Sequence, residues 1–211
     1  NDIKSVVIFN DHCVDSTIFK YLREKLNFKL IFIQHAQPGK FFPKPDFDIS
    51  LLDSENAMDI YKSSPSKRIK LLGHVNTKNL IKCRKSFSKK ILGLAINMSD
   101  DLTNLLNNMS HFCQINNISS LKIKLHPAIK TPPDNLIRDF DIKINFVDNL
   151  IDFLTDVDIL IAGESSILVE GIIAEKLCVY HNFTKNTFHD LYGFRDKDMF
   201  LTYYDFIKNY E

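Results

Sequence analysis

The sequence predicts an α/β fold made of two Rossmann-like lobes, the first of them short or truncated. Three observations carry this expectation. Short aliphatic or β-branched runs alternate with segments whose apolar residues recur at helical spacing, and several runs are apolar almost throughout, as strands buried on both faces of a parallel sheet are. Polar residues follow these runs directly, where an open parallel sheet presents its ligand crevice. Between residues 73 and 90 the pattern dissolves into polar and basic residues, which divides the chain into a lobe 1–73, a linker 74–90 and a second lobe 91–211.

In chain order, Val6–Phe9 and Lys29–Gln34 read as strands. Between them Ile18, Phe19, Leu22 and Leu26 mark one helix face behind an Asp15/Ser16 cap, which completes a β-α-β unit. A strand over Phe47–Leu52, a short helix over Ala57–Lys62 and a strand over Ile69–Leu72 follow. Past the linker, Ile91–Ile96 is a strand, and Asp101–Ile115 a helix with Leu102, Leu105, Leu106, Met109, Phe112 and Cys113 on one face. The alternation continues with strands Leu121–Leu125 and Ile142–Phe146, a helix Asn149–Leu154, a strand Val157–Ala162, a helix Ser165–Lys176 and a strand Leu177–Tyr180. Right-handed crossovers joining such strands place helices on both faces.

Composition bounds the function classes. The 211 residues are 45% hydrophobic and 25% charged with a net charge of +1, which excludes disorder and gives no support to a nucleic-acid partner. Seventeen Phe supply core volume without any Trp. Four cysteines, Cys13, Cys83, Cys113 and Cys178, lack metal-ligand spacing and read as free thiols of a cytosolic protein. The first residues lack an initiator Met and the apolar core of a signal peptide, so a fragment or processed product is expected. Residues 60–99 hold ten Lys or Arg and no Asp or Glu. This is a solvated basic connection, or an attraction for a phosphorylated ligand or anionic membrane.

Five places directly after strands carry candidate chemistry: Asp11–His12, Gln34–His35, Ser99–Asp101, His126–Pro127 and Gly163-Glu164-Ser165-Ser166. In the last, two serines open a helix and offer hydroxyls and backbone N–H groups to a phosphate, or Ser165 is an ordinary N-cap. His126, with Pro127 stopping the ladder behind it, projects an imidazole into the same crevice as a phosphate ligand or a structural hydrogen-bonder. Glu170, one turn into that helix and flanked by apolar Val169 and Ile172, can reach ribose hydroxyls or lie exposed. His35, in a Gln-His-Ala turn leading to Gln-Pro-Gly-Lys, is a general acid/base candidate, with Asp11 and His12 close enough to contribute. The Asp-x-Asp spacings at Asp156/Asp158 and Asp46/Asp48 precede strands, at the end opposite the crevice, so no metal site is expected. Asn-x-Ser/Thr matches at Asn97, Asn108, Asn117 and Asn182 need a secretory context and are taken as chance.

Leu121-Lys-Ile-Lys-Leu-His126-Pro127, then Val157-Asp-Ile-Leu-Ile-Ala-Gly-Glu-Ser165-Ser166-Ile-Leu-Val-Glu170-Gly and Leu177-Cys-Val-Tyr, resemble the nucleotide-binding lobe of bacterial GT-B glycosyltransferases. The His-Pro and Ser-Ser pair is similar to motifs of sialyltransferases, polysialyltransferases, Kdo transferases and CDP-glycerol glycerophosphotransferases. The resemblance implies donor-phosphate contacts for His126, Ser165 and Ser166 and ribose binding for Glu170. Phe32-Ile-Gln-His35-Ala-Gln-Pro-Gly39 resembles the Gln-His-Gly turn of capsule and teichoic-acid transferases, with Ala36 where Gly is usual. Leu71-Leu-Gly73-His74 resembles the strand and Gly that close the first lobe. The likeness spans roughly residues 29–183 and lacks the acidic Gly motif that supplies the sialyltransferase base.

The expected function is a metal-independent glycosyltransferase of surface-glycan synthesis, in capsule or lipopolysaccharide. It would take a CMP- or CDP-linked donor and a glycan or lipid-linked acceptor, need no cofactor, and work in the cytoplasm with peripheral contact at the inner membrane. A nucleotide-sugar 2-epimerase and a non-catalytic nucleotide- or partner-binding lobe are the alternatives.

Overall fold

Every strand pair among the described residues runs parallel, so each link between neighbours has to return along the outside of its sheet. The structure, a computed structural model, describes residues 3–10, 13–36, 38–39, 43–74, 77–83, 91–132, 142–184 and 200–208. It is α/β, with two separate parallel sheets, and divides into two units, Asn1–Asn76 and Thr77–Glu211. Among the described residues no helix is long and apolar enough to cross a membrane.

In the first unit β1 (Ser5–Ile8), β2 (Lys29–Ile33), β3 (Ile49–Leu52) and β4 (Ile69–Leu71) pair in chain order. Helix α1 (Val14–Leu26) joins the first two and α2 (Glu55–Ile60) the last two. The period of two sends Leu30, Phe32 and Leu52 to one face, where they close a core with Phe28, Phe47, Ala57 and Tyr61. Phe47 stacks on Phe32 with ring centroids 5.1 Å apart. The expected cap of α1 is corrected: Cys13 is the N-cap, its Sγ accepting from Ser16 N–H. Ser16 is buried and donates its hydroxyl back to the Cys13 carbonyl at 2.8 Å, so it serves the turn from inside it. Of the four residues marking the helix face, Phe19 and Leu22 pack on the core while Ile18 and Leu26 are exposed.

The second unit begins inside the stretch read as a linker. Helix α3 (Thr77–Ile81) is too short for a periodic signal, yet Leu80 and Cys83 are fully buried in this unit's core. Buried Lys176 donates to the Cys83 carbonyl at 2.9 Å and ties the end of α3 to the turn before β9 (Leu177–Tyr180). The other strands are β5 (Leu92–Ile96), β6 (Ser120–Leu125), β7 (Lys143–Phe146), β8 (Ile159–Ala162) and β10 (Leu201–Thr202). The helices are α4 (Leu102–Ile115), α5 (Leu150–Asp156), α6 (Ile167–Ile173) and α7 (Tyr203–Lys208). β10 and α7 were not expected, because two residues and a six-residue helix lie below the length at which a period shows.

Alternation again separates two cores. Leu92, Leu94, Ile96, Leu121, Ile123, Ile159, Ile161 and Val179 meet α4 and α7 on one face. Ala95, Leu160, Ala162, Cys178 and Tyr180 meet α3, α5 and α6 on the other. On this second face β6 carries Lys122 and Lys124 in place of apolar residues, and Lys122 pairs with Asp156 of α5. The sheet order β10-β9-β8-β5-β6-β7 is the doubly wound order of a dinucleotide-binding fold, with its switch point between β5 and β8.

The central strand is tightly covered. A Cβ on Gly93 would lie 2.6 Å from Val157 Cγ1 and 2.9 Å from Phe153 Cζ, both in fully buried side chains. Gly93→Ala is therefore expected to destabilise the second unit by about 1–3 kcal/mol, the usual cost of overpacking. Urea unfolding checks this, and an unchanged midpoint would mean that α5 yields freely.

Candidate functional site

Parallel pairing brings the carboxyl ends of β5, β6, β8 and β9 to one edge of the second unit. Ala162 and Lys124 are both level with Ala95 of the strand between them, so His126 and Gly163 leave the same edge two strands apart, about 10 Å. The loops after β5, β8 and β9 converge on Gly163. A Cβ there would fall 2.8 Å from His181 Cε1 and 2.9 Å from Asp100 Oδ1, so only glycine lets them close.

Hydrogen bonds lock this convergence. Asn97 N–H donates to Asp100 Oδ2 at 2.7 Å, and its side-chain amide to the Glu164 carbonyl at 2.6 Å. Tyr180 Oη donates to Glu164 Oε1 at 2.6 Å, in a buried position. Asp100 bridges to Thr184, and Asp101 N–H donates to the Phe183 carbonyl. His181 is fully buried; its Nδ1 accepts from Phe183 N–H at 3.3 Å, which assigns the ring proton to Nε2, facing Asp100 Oδ2 at 4.0 Å. Burial pushes the His181 pKa down to about 3, so the ring is neutral in the folded protein.

The serines leave this knot toward the crevice, and both are half-buried. The helix expected over Ser165–Lys176 is shorter: α6 begins at Ile167 with Ser166 as N-cap. Ser165 Oγ accepts from Ile167 N–H at 3.4 Å, while Ser166, in the helical region, makes no side-chain cap bond. His126 is exposed; its backbone N–H donates to the Ile96 carbonyl, and its Nδ1 accepts from Ala128 N–H at 3.2 Å, leaving Nε2–H as the imidazole donor. Pro127 is exposed beside it. Glu170 is half-buried, and burial pushes its carboxyl up to about 7 against the opposing pull of the Lys124 ammonium. Lys124, itself lowered by burial, donates to the Asp148 carbonyl at the start of the α5 turn.

The four Asp-x-Asp carboxylates have structural partners. Asp156 pairs with Lys122, Asp158 accepts from Ile91 N–H, Asp46 pairs with Arg23, and Asp48 accepts from Leu30 N–H and Lys67.

At the carboxyl edge of the first unit His35 is exposed just past β2. Buried Gln34 shapes its turn, donating to the Ala36 carbonyl at 2.9 Å and accepting from Asp53 N–H at 3.1 Å. Burial lowers the pKa of half-exposed His74, and Asp53 opposes it, so Asp53 and His74 share this edge. Asp11 and His12 lie outside the described residues.

Asn97, Lys124, Tyr180 and His181 were not singled out in the sequence. The rule that weighs polar residues after strands applies equally to Tyr180-His181 at the end of β9, and the paired lysines on a strand with a buried face were a second signal. No protein-family model matches the chain, and a search of curated proteins returns no match.

His181 and Glu170 act oppositely on stability. His181 has a folded pKa below its ordinary 6.5, so its contribution is intact above that value and is lost as pH falls toward 3. Glu170 has a folded pKa above its ordinary 4.5, so it adds stability as pH falls through 7. Glu170→Gln should therefore lose about 2 kcal/mol of unfolding free energy between pH 7.5 and 5, and the unsubstituted protein distinctly less. Urea titrations at the two pH values check this, and equal losses would contradict it.

Proposed function

We propose that the second unit binds a nucleotide-activated donor along the edge where β5 and β8 diverge, and that the chain is a transferase of the GT-B type. It would move a sugar or polyol phosphate to a surface glycan. The observation that carries this reading is the doubly wound strand order with the Gly163–Ser166 turn and His126 leaving the same edge at its switch point.

The donor's phosphates would meet the Ser165 and Ser166 hydroxyls and His126 Nε2–H, donors suited to charge developing on a departing phosphate. Glu170 would take the ribose hydroxyls beside Pro127's end of the edge, and its raised pKa makes it a carboxyl able to accept or donate near neutral pH. A CMP- or CDP-linked donor is favoured by the sequence resemblance, and the acceptor would be a glycan or a lipid-linked glycan at the inner face of the membrane. His35, with Asp11 and His12, is the proposed source of acid/base chemistry.

Isothermal titration with CMP, CDP and UDP tests the reading, and binding is expected to persist in EDTA. Ser166→Ala and His126→Ala should each weaken the preferred nucleotide by roughly one to two decades, the worth of a hydrogen bond to a charged group. His35→Ala should leave affinity within a few-fold while lowering turnover by roughly two to four decades. Failure of all three nucleotides to bind would overturn the proposal, and dependence on Mg²⁺ or Mn²⁺ would return the Asp-x-Asp carboxylates to consideration. Tight donor binding with neither hydrolysis nor transfer to any acceptor would favour the non-catalytic lobe.

A further inference from the structure

Glu164 places an acidic side chain in the very turn that the proposed function assigns to a phosphate, and its fate decides what charge that crevice presents. The carboxylate is drawn away from the crevice. It is 8% exposed, and Tyr180, on the neighbouring strand and level with Ala162, holds its Oε1 at 2.6 Å. The Asn97 amide fixes the same residue's carbonyl, and Gly163, against Asp100 and His181, fixes the direction from which the chain arrives. The next two residues are the half-buried serines. An apolar residue at position 164 would fill the site with a smaller desolvation penalty, so a buried carboxylate is a poor choice for packing alone.

We infer that Tyr180 is a positioning residue: by holding the Glu164 carboxylate inward it keeps negative charge off the phosphate position and turns Ser165 and Ser166 toward the ligand. This rests on the nucleotide reading of that edge. Without the phenol hydroxyl, the carboxylate loses this buried hydrogen bond and turns more readily toward the crevice, where it repels a ligand in proportion to the ligand's charge. A residue with a purely structural role would have no such dependence.

Tyr180→Phe keeps the ring in the core and removes only the hydroxyl. In calorimetric titrations CMP affinity is expected to fall about tenfold and CDP affinity further, while weak cytidine binding stays within twofold. Adding Glu164→Gln, which removes the charge, should restore both nucleotides to within about threefold. Equal losses for cytidine and CDP, no loss for either nucleotide, or failure of the second substitution to rescue would each overturn the inference. Hydrogen exchange in the ligand-free protein supplies an independent readout: amides of residues 164–168 should exchange at least about tenfold faster in Tyr180→Phe, with those of β5 unchanged. If the unsubstituted protein bound none of these ligands and no UDP, the nucleotide reading would fall. Unchanged exchange in the turn would then overturn the role of Tyr180 separately.

Discussion

The second unit depends on one strand. Leu92–Ile96 is buried along its whole length, has parallel neighbours on both sides, and separates two cores by the simple alternation of its side chains. Because its neighbours run in its own direction, every connection must cross a face of the sheet, and the chain winds one way from β5 through β6 to β7 and the other from β8 through β9 to β10. The two windings part beside β5. The gap between the following loops is thus a product of connectivity, and the side chains standing at it are those next in line after each strand.

Polar burial at that gap is concentrated. Asp100, Glu164 and His181 are all nearly inaccessible: Asp100 accepts from Asn97 N–H within the loop after β5, Glu164 from the Tyr180 hydroxyl at the end of β9, and His181 from Phe183 N–H in the loop that follows β9. Such groups contribute little to stability compared with apolar replacements, yet they admit few alternative arrangements, since a shifted loop would strand a buried ionisable group. Packing makes the sheet cohere, while the polar knot sets the path of the turn that leaves it. Lys122 and Lys124 play a comparable part on the β6 side, filling a sheet face with aliphatic stems and delivering their ammonium groups to α5 and its preceding turn.

Much of this was legible in the residues. Long apolar runs such as Leu92–Ile96 and Ile159–Ala162 announce strands buried on both faces, and the stripe Leu105, Leu106, Met109, Phe112 and Cys113 announces α4. Short elements were not legible, because α3, β10 and α7 draw their order from contacts distant in sequence, as Leu80 and Lys176 illustrate. His126, Ser165 and Ser166 were singled out by their position after strand ends, and Glu170 by its place between apolar residues of the helix that follows. Tyr180 was missed because it reads as one more apolar strand residue until its hydroxyl is seen against Glu164. Sulfur at the α1 cap was likewise hidden, since Cys13 precedes two more conventional capping residues.

The strand order also sets a timetable for the chain as it is made. Gly93 pairs with Lys122 on one side and with Leu160 on the other. At a synthesis rate of about 5–20 residues per second, roughly two to eight seconds separate the emergence of these two partners. For that interval this fully buried strand has one side of its ladder open, and its second face lacks α6 throughout and α5 for most of the time. Nascent chains held at this length should therefore be the ones most prone to capture by a chaperone, and the arrival of Ile159–Ala162 the event that releases them.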